Sequence, residues 1–465
     1  MALHLDRPYY NYNKMPDFNK TIEERDKKAA WDALVPISYV ELMALFHKWL
    51  LIVDEGIIDL LIGVIFSNRM PSDPVWLNLI APSSGGKTEL LNCFLKVPEC
   101  YHLSDLTSNT FLSGYKSKDK IPSLLHQLVS NKTLIFKDFT SLLDGNWDEL
   151  KAIMGQFRQI FDGYATKRLG TGDEINWKGK LGFIAGSTPI IEQKLSLMGA
   201  MGERFLNYYM KQPRRAALRA KMKENVGKEG KMRDELQDGI AAFLKGLVVP
   251  EEIPRLPEEV EKTIESLTDF IAISRAVVIR SYDSKKEIDW IAPPEMSGRV
   301  FKQLYALSVA LFIIHGKWED RFTGILRNMA ISSIHSLRYN LIKELLSYKT
   351  QVKTSTLAMS IGYPTSTIRR YLEDLAAISM DDGAVRILTR VHLGKGKADL
   401  WQITPAMKEI LRTMGENIEA TKEDTGFEAD EEDIPIGTVS GIPEQQKIDE
   451  LTVGMTPEEI ANLGL

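Results

Sequence analysis

With 465 residues, of which 44% are hydrophobic and 26% charged, the chain has the composition of an ordinary soluble globular protein with room for two or three domains. Its net charge of -5 argues against a protein covered by nucleic acid over its whole surface, although it allows local basic surfaces. Cys93, Cys100 and the nearby His102 fall short of a structural zinc set, so we expect the two thiols to pack in a core in a reducing compartment.

We expect no export signal in the amino-terminal part of the sequence. Residues Met1 to Lys20 lack the basic and then apolar pattern of a signal peptide. The longest apolar run, Leu50 to Phe66, is interrupted by three acidic residues and is therefore predicted to be a buried helix and not a membrane span. We expect a cytoplasmic protein without membrane contact, in which helices over Thr21 to Trp31 and Tyr39 to Ser67 lead into the first strand.

The clearest chemistry lies between a predicted buried strand and a predicted helix, where Val75 to Leu91 reads V-W-L-N-L-I-A-P-S-S-G-G-K-T-E-L-L. A tight turn without bulky side chains brings backbone N–H groups against phosphate oxygens, and a helix that begins there points its positive end at the anion. Lys87 would then reach the β- and γ-phosphates of a triphosphate, and Thr88 would ligate Mg²⁺. The residues predicted to bind the phosphates are Ser83, Ser84, Gly85, Gly86, Lys87 and Thr88. Ala81 replaces the first glycine of the consensus loop, and an ordinary glycine-serine turn is the alternative.

Two further predicted strands end in residues suited to hydrolysis. The strand Thr133 to Phe136 leads to Asp138, an acid that would hold Mg²⁺ or direct the attacking water. Because only one carboxylate is present, Asp138 either does both jobs or is assisted by another acid such as Asp144. The next buried strand ends in Ser187 and Thr188, either of which could orient the water. A surface aspartate and a hydrogen-bonded strand end are the alternatives.

The segment from Asp162 to Lys178 is predicted to be a β-hairpin that turns at Gly170-Thr171-Gly172. Its arms carry Lys167, Arg168, Lys178 and Lys180, with Tyr164 and Trp177 between them. This mixture suits a nucleic-acid backbone and exposed base faces, although a solvated hairpin would also be charged.

Arg204 follows a loop and precedes a short apolar strand. Supplied to the γ-phosphate of a neighbouring subunit, it would stabilise transition-state charge, an effect of roughly 10³ to 10⁵ in rate. A local salt bridge is the alternative. Two long helices, Pro254 to Arg280 and Met296 to His315, form a predicted all-helical lid, and Arg299 lies at the start of the second.

From Ser333 onward, three helices followed by two strands predict a winged helix-turn-helix. The predicted helices and strands are Ser336 to Tyr348, Thr354 to Ser360, Thr365 to Ile378, Ala384 to His392 and Ala398 to Ile403. The residues that would face a DNA groove are Thr365, Ser366, Thr367, Arg369 and Arg370, with Lys395 and Lys397 on the wing. Such modules also contact proteins, which is the alternative. The segment Glu416 to Asp433 is acidic, poor in aromatic residues and predicted to be disordered.

The order of these motifs resembles that of AAA+ ATPases, and it is most similar to the minichromosome-maintenance (MCM) helicases and the MCM-like ATPases of phages and mobile elements. The motifs that carry the resemblance, within Leu60 to Met414, are the phosphate loop, the strand before Asp138, the basic hairpin, the strand tip at Ser187-Thr188, Glu203-Arg204-Phe205 and Gly298-Arg299. The chain departs from the MCM pattern because it has no amino-terminal oligonucleotide-binding barrel with a zinc cluster and no acid pair beside Asp138.

The resemblance implies ATP and Mg²⁺ as cofactors and a role for each matching residue. Lys87 and Thr88 would bind phosphate and Mg²⁺, and Asp138 would take the acidic-strand role. Ser187 or Thr188 would be the first sensor, Arg204 the finger supplied to a neighbouring subunit and Arg299 the lid sensor.

Together these features predict an α/β fold with an AAA+ P-loop core on a parallel sheet, an all-helical lid and a C-terminal winged helix-turn-helix domain. The predicted segments are a helical lead-in (1–70), the ATPase core (71–215), the lid (216–332), the winged-helix domain (333–414) and a disordered acidic tail (415–465). The expected function is that of an ATP-dependent DNA helicase or translocase. It would act as a hexameric ring on single-stranded or forked DNA, alongside replication proteins of a phage or mobile element. An ATP-gated DNA-binding regulator, or a replication or packaging accessory ATPase without unwinding activity, is the alternative.

Overall fold

The computed structural model of the protein describes residues 22–113, 123–128, 131–143, 147–170, 172–194, 204–281, 286–392 and 398–424. The chain forms two compact units. Unit 1 consists of Met1–Val277 and Glu295–His335, and unit 2 consists of Val278–Pro294 and Ser336–Leu465. Residues 278–294, which lie between two parts of unit 1 in the sequence, therefore belong to unit 2. The sequence did not predict this arrangement.

Unit 1 is built around a parallel sheet of five strands. The strands of this unit are β1 (Trp76–Ile80), β2 (Cys100–Leu103), β3 (Lys132–Phe136), β4 (Tyr164–Arg168), β5 (Glu174–Lys178), β6 (Leu181–Ser187) and β7 (Leu206–Tyr209). The order in the sheet is β2-β3-β6-β1-β7, and every neighbouring pair is parallel. All residues of β1 and β6 are buried, as expected for strands covered on both faces. The carboxyl ends of the five strands therefore meet at one edge, and their amino ends meet at the other.

Helices flank this sheet. Those of unit 1 are α1 (Ile22–Ala33), α2 (Tyr39–Trp49), α3 (Gly56–Ser67), α4 (Lys87–Asn92), α5 (Leu124–Gln127), α6 (Phe139–Leu143), α7 (Trp147–Phe161), α8 (Arg215–Asn225), α9 (Glu229–Gly246), α10 (Glu258–Ser274), α11 (Gly298–His315) and α12 (Asp320–Ser332). Aromatic side chains join α7 to the sheet, because the ring of Phe157 lies 5.6 Å from that of Trp76 and 5.3 Å from that of Phe183. This architecture confirms the predicted α/β core with a parallel sheet, whereas the AAA+ assignment stays a prediction.

One predicted helix is in fact two. The sequence predicted a single helix from Tyr39 to Ser67, but α2 ends at Trp49 and α3 begins at Gly56. Ser38 starts α2 with a capping box, in which its hydroxyl accepts from the Glu41 N–H and the Glu41 carboxylate accepts from the Ser38 N–H. The apolar residues between the two helices are thus free to line a cavity described below.

The predicted hairpin is present as β4 and β5, which pair antiparallel with Tyr164 opposite Lys178 and Arg168 opposite Glu174. It packs on α7 and stands apart from the five-stranded sheet. None of the helices in the described part of the chain is long and apolar enough to cross a membrane.

Within the residues that the structure describes, unit 2 combines four α-helices with short antiparallel strands. Its helices are α13 (Ser336–Leu346), α14 (Thr354–Ile361), α15 (Thr365–Ala377) and α16 (Pro405–Thr413). Its strands are β8 (Val278–Arg280), β9 (Ile288–Ile291), β10 (Val352–Lys353), β11 (Ser379–Met380), β12 (Val385–Arg386), β13 (Leu388–Val391) and β14 (Leu400–Ile403). Strands β10, β14 and β13 form one sheet in that order. Gly362, at φ 78°, ends α14, and Pro364 precedes α15, so the two helices are joined by a tight turn.

Candidate active site

The glycine-rich loop lies where β1 ends at the carboxyl edge of the sheet and α4 begins. Its backbone is strained at Ser84, with a φ of 60°, and left-handed at Gly86, with a φ of 85°. A Cβ atom at Gly85 would lie only 2.8 Å from the Pro82 carbonyl oxygen and 2.9 Å from the Gln212 side chain. Glycine is therefore required at both positions, by space at Gly85 and by conformation at Gly86. The loop is thus a backbone cradle whose shape depends on these two glycines.

Lys87 folds over this loop. Its ammonium donates to the carbonyl oxygens of Ala81, at 2.5 Å, and Pro82, at 3.1 Å. Burial lowers the pKa of Lys87, and the negative charge of Asp138 opposes that shift. The ammonium is therefore held on the two carbonyl groups at the base of the loop, where phosphate oxygens would replace them as partners. This cradle and its buried cation fit a polyphosphate.

Asp138 and Thr88, the two predicted metal ligands, both have exposed side chains. Asp138 follows β3, and its carboxylate accepts a hydrogen bond of 3.3 Å from the Ser141 N–H at the start of α6. Gly186 allows the end of β6 to approach this segment, because a Cβ there would lie 2.7 Å from the Lys137 carbonyl oxygen. A hydroxyl and a carboxylate are hard oxygen donors of the kind that Mg²⁺ prefers, so the pair fits that ion.

The two hydroxyls at the end of β6 have different surroundings. The Ser187 side chain is buried and donates to Asn78 Oδ1 at 2.6 Å, and Asn78 in turn donates to Asn207 at 2.9 Å. Ser187 thus belongs to a polar ladder across β6, β1 and β7. Thr188 is only partly buried, and its hydroxyl lies 3.3 Å from that of Thr140. Of the two predicted sensor residues, Thr188 is the one whose hydroxyl lies outside the sheet.

An apolar cavity of about 430 Å³ adjoins the loop. Its walls come from the loop and α4, from the segment between α2 and α3, and from residues 210–233. The side chains that make it apolar include Trp49, Leu50, Ile52, Leu218, Met222 and Met232. Sequence reasoning missed this wall, although the uninterrupted apolar run Leu50-Leu51-Ile52-Val53 could have indicated it. A cavity of this size and character suits the base and sugar of a nucleotide.

Arg204 lies at the opposite, amino edge of the sheet. Its carbonyl oxygen accepts from Gln303 Nε2 at 3.1 Å, and Gln303 Oε1 accepts from the N–H of Trp76, the first residue of β1. The guanidinium lies 5.8 Å from the centre of the Phe161 ring and 3.6 Å from the Asp162 carboxylate, with 13% of its side chain exposed. About 17 Å separate the two edges, since β1 contributes five residues at roughly 3.3 Å each. Arg204 therefore cannot reach the loop of its own chain.

Arg299 lies beside Arg204. Burial lowers the pKa of Arg204, and the positive charges of Arg299 and Arg158 lower it further, while Asp162 opposes the shift. Arg299 is ion-paired with Glu295, which also pairs with Arg275 at 3.4 Å. The resemblance implied that Arg299 is a lid residue that senses nucleotide. The structure instead groups it with Arg204 and Arg158 at the amino edge.

The hairpin offers fewer groups to a nucleic acid than its sequence suggested. The Lys167 ammonium is bound to Asn109 Oδ1 at 2.7 Å and to the Leu112 carbonyl oxygen at 2.9 Å. Trp177 is buried, so its ring is not available for stacking on bases. Arg168, Lys178 and Tyr164 are exposed.

Lys180 belongs to the scaffold of the sheet. It donates to the carbonyl oxygens of Ser67, at 3.2 Å, and Met70, at 2.8 Å. Burial lowers its pKa to about 8, against the opposing charge of Asp73. Lys180 is therefore a structural lysine and not part of a basic arm.

In unit 2, the predicted groove-facing residues lie on α15. Ser366 and Arg370 are exposed, and Thr365, Thr367 and Arg369 are half-buried. Lys395 and Lys397, predicted for the wing, lie outside the described residues. Their flanking strands, β13 and β14, are present and pair antiparallel.

Comparison of the chain with protein-family models finds no match, and comparison with curated proteins finds none either.

Proposed function

We propose that the chain is an ATP-hydrolysing AAA+ protein of the MCM-like helicase group, which acts on DNA as an oligomeric ring. The observation that carries this proposal is the distribution of charge over the two edges of the sheet. The glycine-rich loop, Lys87 and Asp138 lie at the carboxyl edge, and Arg204 and Arg299 lie at the amino edge. A ring of identical subunits brings one edge of each subunit toward the other edge of its neighbour.

At the carboxyl edge, each residue has a defined task. Backbone N–H groups of the loop bind the phosphates of ATP, and the Lys87 ammonium exchanges the carbonyl groups of Ala81 and Pro82 for phosphate oxygens. Thr88 and Asp138 would hold Mg²⁺, which supplies charge neutralisation at the phosphates when bound. Thr188, between the ends of β1 and β3, orients the attacking water.

At the amino edge, Arg204 is offered to the next subunit. Asp162 holds the guanidinium near the surface, since 61% of its own side chain is exposed. On closure of the interface, the γ-phosphate of the neighbour's ATP would replace Asp162 as the anionic partner of Arg204. A second cation, Arg299, lies close enough to support the same charge.

Work on DNA would follow from the hairpin and unit 2. Arg168, Lys178 and Tyr164 present two cations and an aromatic ring on the exposed face of β4 and β5. The helices α14 and α15, joined by a tight turn and followed by antiparallel strands, have the order of a winged helix-turn-helix. Cytoplasmic action in the replication of a phage or mobile element is part of the same proposal.

The direct test is ATP hydrolysis by a Lys87→Ala protein. We expect a loss of at least about 100-fold, because one preorganised cation at the phosphates is removed. The matched control is Lys96→Ala. Lys96 follows α4 in the chain and pairs with Asp234 and Asp238. Hydrolysis at the wild-type rate in Lys87→Ala would overturn the proposal.

A second function, an ATP-gated DNA-binding regulator or accessory ATPase without unwinding, is favoured by one observation. Lys167 and Trp177 are tied into the fold, which leaves the hairpin fewer groups for moving a strand. Strand displacement on a forked DNA, with ATP hydrolysis measured in parallel, separates the two functions. A helicase displaces the strand, whereas a regulator binds one duplex sequence far above others and displaces nothing.

A further inference from the structure

The last residue of α8, Asn225, lines the apolar cavity beside the glycine-rich loop. It is half-buried, and its Nδ2 donates to the Trp49 carbonyl oxygen at 2.7 Å. The same nitrogen lies 3.6 Å from Met232 Sδ. Trp49 is itself fixed, because its ring N–H donates to the Glu235 carboxylate at 2.8 Å. The carboxamide of Asn225 is therefore anchored between the end of α2 and the start of α9.

These contacts decide which way the amide of Asn225 faces. A carbonyl oxygen can only accept a hydrogen bond, so the group turned toward Trp49 must be the NH₂. The two ends of an amide fork point in different directions, which leaves Oδ1 as an acceptor at the wall. Within the part of the chain that the structure describes, Asn225 Oδ1 accepts no hydrogen bond from the protein. The wall thus offers an acceptor of fixed orientation to a molecule in the cavity.

Charged side chains of the same wall have partners of their own. The Arg233 guanidinium donates to both carboxylate oxygens of Glu89, at 3.0 and 2.7 Å. The Asp54 carboxylate accepts from the Tyr208 hydroxyl at 2.7 Å. A ligand that used either group would have to break these bonds, whereas the oxygen of Asn225 can accept a hydrogen bond without that loss.

An acceptor at this wall distinguishes between purine bases. Adenine carries an amino group on ring carbon 6, where guanine carries an oxygen. The amino group would donate to Asn225 Oδ1, but an oxygen would face it with a like partial charge, and both would lack a partner. Polar groups left unpaired in this way are the main source of selectivity at a hydrogen-bonding site. The apolar side chains of the wall, including Leu218 and Met222, suit the wide ring system of a purine.

We propose that Asn225 selects a 6-aminopurine nucleotide by accepting a hydrogen bond from the amino group of the base. The inference rests on the proposed binding of a nucleoside triphosphate at the glycine-rich loop, and it adds the residue that chooses the base. The loop and Lys87 would bind phosphates, which are common to all nucleoside triphosphates. A preference among them must therefore come from the cavity.

The test is a competition in which unlabelled nucleotides displace a ribose-labelled fluorescent ATP analogue from the full-length protein in the presence of Mg²⁺. The competitors differ at purine position 6, where ATP has an amino group, purine riboside triphosphate a hydrogen and inosine triphosphate an oxygen. For the wild type, we expect ATP to bind about fivefold more tightly than the 6-hydrogen compound, the effect of one hydrogen bond. It should bind at least about tenfold more tightly than inosine triphosphate.

The variant Asn225→Ala removes the acceptor. We expect its affinities for ATP and for the 6-hydrogen compound to agree within about twofold. This ratio is the readout because general damage to the cavity would weaken both nucleotides alike. If the ratio in Asn225→Ala stays at the wild-type value, the inference is overturned.

The matched control is Glu229→Ala. Glu229 is the exposed first residue of α9, and it is another acceptor that lines the cavity. We expect the ratio of the affinities for ATP and the 6-hydrogen compound to remain within about twofold of the wild-type value. If Glu229→Ala abolishes the preference and Asn225→Ala does not, Glu229 is the acceptor and the inference is wrong.

The same measurements separate failure of the inference from failure of the proposed function. If the wild type binds the labelled analogue but all competitors displace it equally well, the phosphate site stands and the inference alone is overturned. If the folded wild-type protein does not bind the labelled analogue at all, the proposed nucleotide site and the inference that rests on it are both overturned.

Discussion

The two edges of the five-stranded sheet have opposite chemistry. At the carboxyl edge lie a glycine-rich backbone loop, one buried ammonium and an exposed carboxylate, the groups that we propose bind a polyphosphate and a metal ion. At the amino edge, Arg299 and Arg158 lie close enough to Arg204 for their charges to act on it. The glycine-rich loop and the carboxylate therefore lie at one edge of the sheet, and the group of arginines lies at the other.

This difference bears on assembly. A single chain separates the arginines from the loop by about the length of β1, so it cannot bring them together without unfolding the sheet. Burial lowers the pKa of Arg204, and the like charges of Arg299 and Arg158 lower it further. Such a cluster is explained if an anion on a second subunit approaches it.

The largest effect should come from the amino edge. Arg204→Ala is expected to reduce ATP hydrolysis about 10³-fold, because the charge that faces the transition state is lost while the loop that binds ATP is intact. Steady-state hydrolysis and binding of a fluorescent ATP analogue measure the two properties separately. Arg158→Ala, a change of the exposed neighbour on α7, is the control and should cost less than about tenfold. Loss of nucleotide binding in Arg204→Ala would indicate a structural role.

The carboxyl edge is tested through its carboxylate. Asp138→Asn should reduce hydrolysis about 100-fold, since the amide cannot neutralise the metal ion. Wild-type activity should likewise disappear when EDTA removes divalent ions and return with added Mg²⁺. Asp105→Asn, another acid that follows a strand of the sheet, is the control. Activity of the wild-type protein in EDTA would contradict the assignment.

Two variants at the end of β6 separate a residue proposed to act in hydrolysis from a residue that stabilises the sheet. Thr188→Ala should slow hydrolysis roughly tenfold with little change in the free energy of unfolding, because its hydroxyl lies outside the sheet. Ser187→Ala should do the reverse, since it leaves Asn78 without a donor and costs about 1–3 kcal/mol of stability. Urea denaturation and hydrolysis rates, measured for both variants, decide between them. If the two variants change the hydrolysis rate and the free energy of unfolding in the same way, the two residues do not have separate roles.

The last prediction concerns the scaffold of the sheet and the pH dependence of its stability. The pKa of Lys180 falls from 10.5 to about 8 in the folded protein because burial disfavours its charge. Between these values the unfolded chain binds more protons, so the contribution of Lys180 to the free energy of unfolding rises with pH, by up to ~3 kcal/mol. Below pH 8 the full penalty is present. Lys180→Met should remove this rise, as measured by the difference between wild-type and variant unfolding curves from pH 7 to 10.5. If the free energy of unfolding depends on pH in the same way in the wild type and in Lys180→Met, the prediction is wrong.

The elements that could be predicted from the sequence are those whose residues lie close together in the chain. The strand, loop and helix from Val75 to Leu91 follow from local chemistry, since a buried run, two glycines and a helix start are adjacent in the chain. The hairpin of β4 and β5 was predicted for the same reason. In each case the signal and the structure lie within about twenty residues.

Features that depend on distant partners were not predicted. Nothing near Lys180 in the sequence indicates that Ser67 and Met70 will supply its hydrogen-bond acceptors. The Ser187 hydroxyl is taken by Asn78, more than a hundred residues earlier. Residues 416–424 were predicted to be disordered from their composition alone. In the structure, Thr421 and Lys422 form backbone hydrogen bonds with Ser347 and Lys349, close to the end of α13.

The most direct measurement mixes two inactive subunits. Lys87→Ala retains the amino edge, and Arg204→Ala retains the carboxyl edge, so an interface between them contains one complete site. For random assembly at equal amounts, we expect about one quarter of the wild-type rate of ATP hydrolysis, whereas each variant alone is inactive. No activity at any ratio, in mixtures shown by size to contain both subunits in one oligomer, would contradict a site shared between neighbours.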